Sequence, residues 1–196
     1  MDHGGHIDYR RIEANGRVKS SAFGSVSVNL TLKGGFENFS IYGFSIDYPE
    51  TCRVGFNSKS RREAGDVSFI FPDSVKIFLS WGDLGKVSKR FGSVEEHADY
   101  GLDKMQKGKN VKNFERVSRN TMPLHNHRGS VNKVRFDEKG LKLFGHGKDI
   151  PREAYSLHVH CDKSNRYFVL YTMTPADGDV RFDRIMESMG ESFNCH

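Results

Sequence analysis

Nowhere does this chain hold the ~20 consecutive apolar residues needed to cross a bilayer. The stretch from Met1 to Lys19 is polar and lacks the apolar centre of a secretory signal. These two absences lead to the expectation of a cytoplasmic protein with no membrane partner. Cysteine is also scarce. The three present, Cys52, Cys161 and Cys195, are odd in number, and none lies in a C-x-x-C pair. No disulfide framework or zinc-ribbon pattern is therefore implied. Cys161 continues the period-two apolar series Tyr155, Leu157, Val159, so its expected role is that of a small buried hydrophobe. Cys195 beside His196 is expected to be an exposed thiol at a loose end, with metal binding or reactivity by the pair as the sharper alternative.

Catalytic signatures are missing as well. Gly140 to Gly147 is glycine-rich but lacks the Lys-Ser/Thr ending of a phosphate loop, and neither a Ser nucleophile elbow nor H-E-x-x-H occurs. No helix-turn-helix, zinc-finger, KH or RRM pattern is present either. The expectation is a protein without enzymatic activity and without a cofactor.

What is present is ample material for one core. Aromatics make up 12% of 196 residues, with fifteen Phe and seven Tyr, enough apolar bulk to offset the chain entropy lost on folding. Residues 1–21 show no sustained period and are expected to form a flexible or loosely docked arm before a single domain over 22–196. Ser25 to Leu32 alternates as a strand. Lys33-Gly34-Gly35 turns it into Phe36 to Tyr48, whose apolar parity slips near Gly43 and calls for a bulge or sharp bend there. Val67, Phe69 and Phe71, then Val75, Ile77, Leu79 and Trp81, make a hairpin around Pro72-Asp73-Ser74.

Ser93-Val94-Glu95-Glu96 is a capping box that opens a helix with Val94, Ala98, Leu102 and Met105 on one face. Further strands are expected near Phe114 to Arg119 and Ser130 to Phe136. A third hairpin follows, Ala154 to Cys161 with Arg166 to Thr174; its second strand is apolar on both faces and hence central. A closing helix near Val180 to Met189 places Phe182, Ile185, Met186 and Met189 on one face, behind Asp177-Gly178-Asp179. The fold class is α+β: a central antiparallel β-sheet built from hairpins and flanked by two main amphipathic helices.

Gly43-Phe44-Ser45-Ile46-Asp47-Tyr48-Pro49, together with Tyr167 to Met173 followed by a helix holding Phe182, Ile185 and Ser188, resembles the PsbP-like superfamily. That superfamily includes photosystem II extrinsic subunits and Ran-binding Mog proteins. The resemblance covers about Phe39 to Phe193. It implies a sheet-and-helix sandwich and a binding or assembly module rather than an enzyme. The shared positions are core positions, so no functional residue carries over.

Two constellations remain. His125-Asn126-His127, His146 and His158-Val159-His160 contain H-x-H pairs whose imidazoles share one side of a strand. His125, His127, His158 and His160 are thus candidate ligands for zinc, copper or nickel. Set against this, Ala154, Ser156, His158 and His160 read as a solvated strand face. Met1-Asp2-His3 has the spacing of a square-planar copper or nickel site, with a disordered terminus as the plainer reading.

The second constellation is charge. Between Lys104 and Lys148 lie twelve Lys or Arg against three acids, although the whole chain carries only +5. Lys104, Lys107, Lys109, Lys112, Arg116, Arg119, Arg128, Lys133 and Arg135 form a candidate surface for an acidic protein or nucleic acid, with Lys139, Lys142 and Lys148 extending it. A solvated basic face is the competing reading.

Overall fold

The computed structural model describes residues 35–125, 127–140, 147–176 and 181–196. The expected arm, the strand Ser25 to Leu32, the glycine-rich loop around His146 and the turn Asp177-Gly178-Asp179 lie outside them, wholly or for the most part.

β1 (Phe36–Phe39) and β2 (Ile46–Pro49) pair antiparallel as a two-stranded sheet, with Phe39 opposite Ile46. The parity slip near Gly43 is thus a reversal between two strands rather than a bulge within one. Tyr42 and Gly43 take φ of 62° and 71°, and this left-handed pair lets Phe39 and Phe44 face one core.

A seven-stranded antiparallel sheet comprises β3 (Arg53–Phe56), β4 (Gly65–Ile70), β5 (Lys76–Asp83), β6 (Val111–Leu124), β7 (His127–Glu138), β8 (Ile150–Cys161) and β9 (Arg166–Pro175). Their spatial order is β3-β4-β5-β9-β8-β7-β6. The hairpins expected at Pro72 to Ser74 and at Asp162 to Asn165 are both present, with Val67 opposite Leu79 and Leu157 opposite Leu170. β9 lies in the middle, as its two-sided apolarity requires. β6 and β7 are much longer than their broken periodicity suggests, because two register shifts in β6 scramble the alternation without ending the pairing.

Three helices lie among the described residues: α1 (Leu84–Ser88), α2 (Val94–Gln106) and α3 (Arg181–Ser192). At the start of α2 the Glu96 amide donates to Ser93 Oγ at 3.2 Å, while the Gly92 amide donates to the Glu96 carboxylate at 2.6 Å. The capping box is present, its returning carboxylate one residue further out than expected. Ser93→Ala removes the oxygen acceptor and is expected to lower stability by ~1 kcal/mol in urea denaturation, whereas Ser93→Asp restores the cap.

The sheet carries different layers on its two faces. On one, β1, β2 and α3 cover a large core in which Ile46, Val67, Phe69, Ile77, Ile185, Met186 and Met189 are fully buried. On the other, α2 packs over β6, β7 and β8 around Leu102, Val134, Phe136 and Ala154. β8 feeds both faces at period two: Leu157, Val159 and Cys161 enter the large core, and Ala154 and His158 turn toward α2. The reading of Ala154 to His160 as a solvated face is therefore corrected. α2 covers it, and His158 is only 6% exposed.

Candidate functional site

Under α2 the sheet is not closely packed. A cavity of about 180 Å³ lies between Gly101, Leu102 and Met105 of the helix and Val134, Ala154 and Val169 of three adjoining strands. Tyr171 and Met173 also line it and are 40% and 42% exposed, so the cavity opens to the surface beside them. Ser156 and His158 line it too, and both Ser156 Oγ and His158 Nδ1 are buried without a hydrogen-bond partner among the described residues. Buried polar atoms are rarely left unpaired. Both residues line the cavity, but these two atoms are closed off from its free space by their neighbours.

A histidine cluster borders this cavity. His97 of α2 meets His160 of β8 with Nδ1 and Nε2 3.2 Å apart, and its ring stands edge-on to those of His158 and Tyr167. Burial, then His160 and Arg90, lowers the His97 pKa to about 4. Burial, then the neighbouring His97 and His160, lowers that of His158 to about 3. Burial lowers His160 too, against the opposing pull of Asp162 and Glu95. All three are neutral imidazoles near neutral pH, one nitrogen of each a donor and the other an acceptor.

The two H-x-H pairs, candidate metal ligands from the sequence, are divided between the two faces. His158 and His160 look toward α2. His127 stands on the opposite face, two residues before the Gly129–Val159 pair, which places it beside Cys161. There it meets Cys195 and His196, and His125 at the adjoining turn contributes to the electrostatics of His196. Cys161 and Cys195 are joined as a disulfide, with Cα atoms 6.6 Å apart. This corrects two expectations: Cys161 is not merely a small hydrophobe, and Cys195 is not an exposed thiol at a frayed end.

The segment carrying Cys195 is held by specific contacts. Asn194 and Ser45 exchange two backbone hydrogen bonds at 2.8 Å, and Phe193 packs on Phe168 with centroids 4.9 Å apart. Arg166, 4% exposed, donates to the carbonyls of Tyr42, Gly43, Arg62 and Cys195. The sequence reading missed Arg166 and His97. The only local signals were a cation opening an otherwise apolar strand and a histidine on an amphipathic helix.

The basic surface is largely self-neutralised. Arg116 and Arg119 both bind Asp99, Lys112 binds Asp149, and Arg128 lies 3.6 Å from Glu95. Lys133 bridges Glu153 and Asp183, and Arg135 also binds Glu153. Lys104 sits over the Tyr100 ring at 4.8 Å. Of the nine named cations only Lys107 and Lys109 have no acidic or aromatic side-chain partner among the described residues.

No family model and no curated protein sequence matches the chain. Solved structures do. Cyanobacterial PsbP (CyanoP) from Synechocystis superposes with a TM-score of 0.55 at 10% identity, covering 90% of this chain and 98% of that one. The Ran-binding protein Mog1p of Saccharomyces cerevisiae gives the same TM-score and identity, over 83% of this chain and 96% of its own. The fold is PsbP/Mog-like. At this identity the likeness extends to the architecture alone. In this PsbP/Mog-like chain the cavity under α2 and the sulfur–histidine cluster across the sheet rest on their own geometry. No helix among the described residues is long and apolar enough to cross a membrane.

Proposed function

We propose that this protein is a non-catalytic binding module that receives a neutral, largely apolar group in the cleft between α2 and the sheet. The observation that carries this reading is the cavity of about 180 Å³, with a largely apolar wall, that opens to the surface beside Tyr171 and Met173. Its volume suits one aromatic or branched aliphatic group, since an engineered apolar cavity of ~150 Å³ accepts benzene. Charge on the occupant is disfavoured, because the histidines at the wall are themselves neutral and a buried charge needs a partner.

Fold neighbours support a binding role in general terms, Mog1p being by its name a Ran-binding protein. Their partners do not transfer at 10% identity. The polyanion reading is less favoured, because seven of its nine cations already have acidic or aromatic neighbours.

Indole and p-cresol serve as probes of the cleft. They are expected to shift the Gly101, His158 and Tyr171 resonances in heteronuclear NMR at millimolar concentration. A Cβ added at Gly101 would sit 3.6 Å from the His158 ring, in ordinary contact. Gly101→Ala should therefore be tolerated and stabilise by ~0.5–1 kcal/mol, the usual difference between these residues inside a helix. Gly101→Leu should fill the cleft and abolish the shifts while the fold persists. Unchanged shifts in that variant, or none in the parent protein, would reject the cleft as the binding site.

A further inference from the structure

We infer that His127, Cys161, Cys195 and His196 form a tetrahedral zinc site when Cys161 and Cys195 are reduced, so that metal and disulfide are alternative states of one cluster. One ligand atom from each of the four residues lies within 4.8 Å of all the others. Cys161 Sγ is 3.7 Å from both His127 Nε2 and His196 Nδ1, and Cys195 Sγ is 3.4 Å from His196 Nδ1. Zinc bonds of about 2.3 Å to sulfur and 2.0–2.1 Å to nitrogen, set at tetrahedral angles, give a sulfur–nitrogen edge of roughly 3.5 Å. The three separations bracket that edge. Among these edges the sulfur pair must open, to roughly 3.8 Å by the same geometry, and the two edges from His127 to Cys195 and to His196 lie within 4.8 Å.

The chemistry and the support agree. Two thiolates and two imidazoles are the donor set that selects zinc over harder cations, and two thiolates balance its double charge. The four residues come from the start of β7, the end of β8 and the Asn194-Cys195-His196 segment. That segment is fixed by the Ser45–Asn194 bridge and by Arg166 on the Cys195 carbonyl. Cys161 and Cys195 are buried, whereas His196 is exposed, which leaves a path for the ion from its side.

The exchange balances with a dithiol as reductant. One of its thiolates attacks a protein sulfur, the Cys161–Cys195 bond breaks, and the reductant closes to its own disulfide. Two electrons pass to the protein sulfurs, and the reductant's two thiol protons end on Cys161 and Cys195. Zinc then displaces those two protons to solvent as it binds both thiolates. In a reducing compartment the cluster is a metal centre, and in an oxidising one it is a crosslink.

The test uses the untagged full chain, with cobalt(II) as spectroscopic probe and zinc as competitor. Before reduction one thiol per chain, Cys52, should react with a thiol reagent added in denaturant, where burial no longer suppresses its thiolate. After dithiol treatment and anaerobic removal of the reductant, three should react in denaturant. Only the reduced protein should then take up one cobalt with thiolate-to-metal charge transfer and the visible bands of a tetrahedral ion, both erased by zinc. Cys52→Ser should behave as the parent, and His196→Ala, which alters an exposed side chain, should weaken binding by at least ~100-fold, beyond the loss usual for a residue that only supports a ligand. Cys161→Ser and Cys195→Ser should lose the charge-transfer band. Equal cobalt binding before and after reduction, uptake without charge transfer, as at Met1-Asp2-His3, or no uptake would each overturn the proposal.

Discussion

Arg166→Met is expected to lower the stability of the protein by ~3 kcal/mol, the largest effect of any single polar substitution here, because it strands several buried acceptors at once. The guanidinium donates at 2.6–3.2 Å to four carbonyls from three separate segments: Tyr42 and Gly43 before β2, Arg62 before β4, and Cys195 beyond α3. Each carbonyl left in an apolar site costs ~1–3 kcal/mol. The total falls short of four such costs because Arg166 also lines a polar cleft with Glu63, Asp83 and Asn165, from which water can reach some of the oxygens. Arg166→Lys is expected to recover only part of the loss, since an ammonium cannot reproduce the flat fork of five donors. Urea denaturation of both variants measures the effect. A loss below ~1 kcal/mol for Arg166→Met would mean that the carbonyls rehydrate freely and that the arginine is not what joins these segments.

Acidification from pH 7 to 5 is expected to remove ~2 kcal/mol through His158 alone, with a smaller share from the more exposed His97. The sign follows from the direction of the shifts. Both pKa values lie below the ordinary 6.5, at about 3 for His158 and about 4 for His97, so the folded protein holds neutral imidazoles where the unfolded chain binds protons. Stability from this source is complete above the unfolded value and declines as pH falls toward the folded ones.

His158 is packed against His97 and His160, with Tyr167, Arg90 and Glu95 around the cluster, and no carboxylate acts strongly enough to offset burial at His158. Glu95 and Glu153 are held below the ordinary carboxylate value, Glu95 first by a backbone hydrogen bond and Glu153 by Arg135 and Lys133 against its burial. Their stabilisation is lost only at lower pH, so the interval from 7 to 5 isolates the histidines. Denaturation at pH 7, 6 and 5 should show a slope that flattens in His158→Gln. In NMR the His158 ring should not titrate above pH 5, and a midpoint near 6.5 would sink this account.

α2 was legible because its signals are local: Ser93 and Glu96 at capping distance, and Val94, Ala98 and Leu102 at helical spacing, all of which are buried or bonded as their pattern requires. The central place of β9 was legible for the same reason, since a strand apolar on both faces must have layers on both sides. His158 was misjudged, because alternating polar and apolar residues on β8 look the same whether the polar face meets water or a second helix. The burial of His158 depends on α2, about sixty residues earlier in the chain. The short β3 and α1 carried too few residues for a period to emerge.

The sequence by itself determined the two long helices and their inward faces, the central strand β9 and the β4–β5 and β8–β9 hairpins, since each depends on residues within one or two turns or across one short loop. Only the tertiary structure decided which residues share a site. His127, Cys161 and Cys195 meet across separations of 34 residues each. What brings them together is the register of β7 on β8 and the Ser45–Asn194 bridge, geometry that no local period encodes. The basic middle of the chain shows the same limit. Its charge was countable from the sequence, but the acids that neutralise it, Glu95, Asp99, Asp149, Glu153 and Asp183, all come from outside that stretch and reach it only when the sheet and helices assemble.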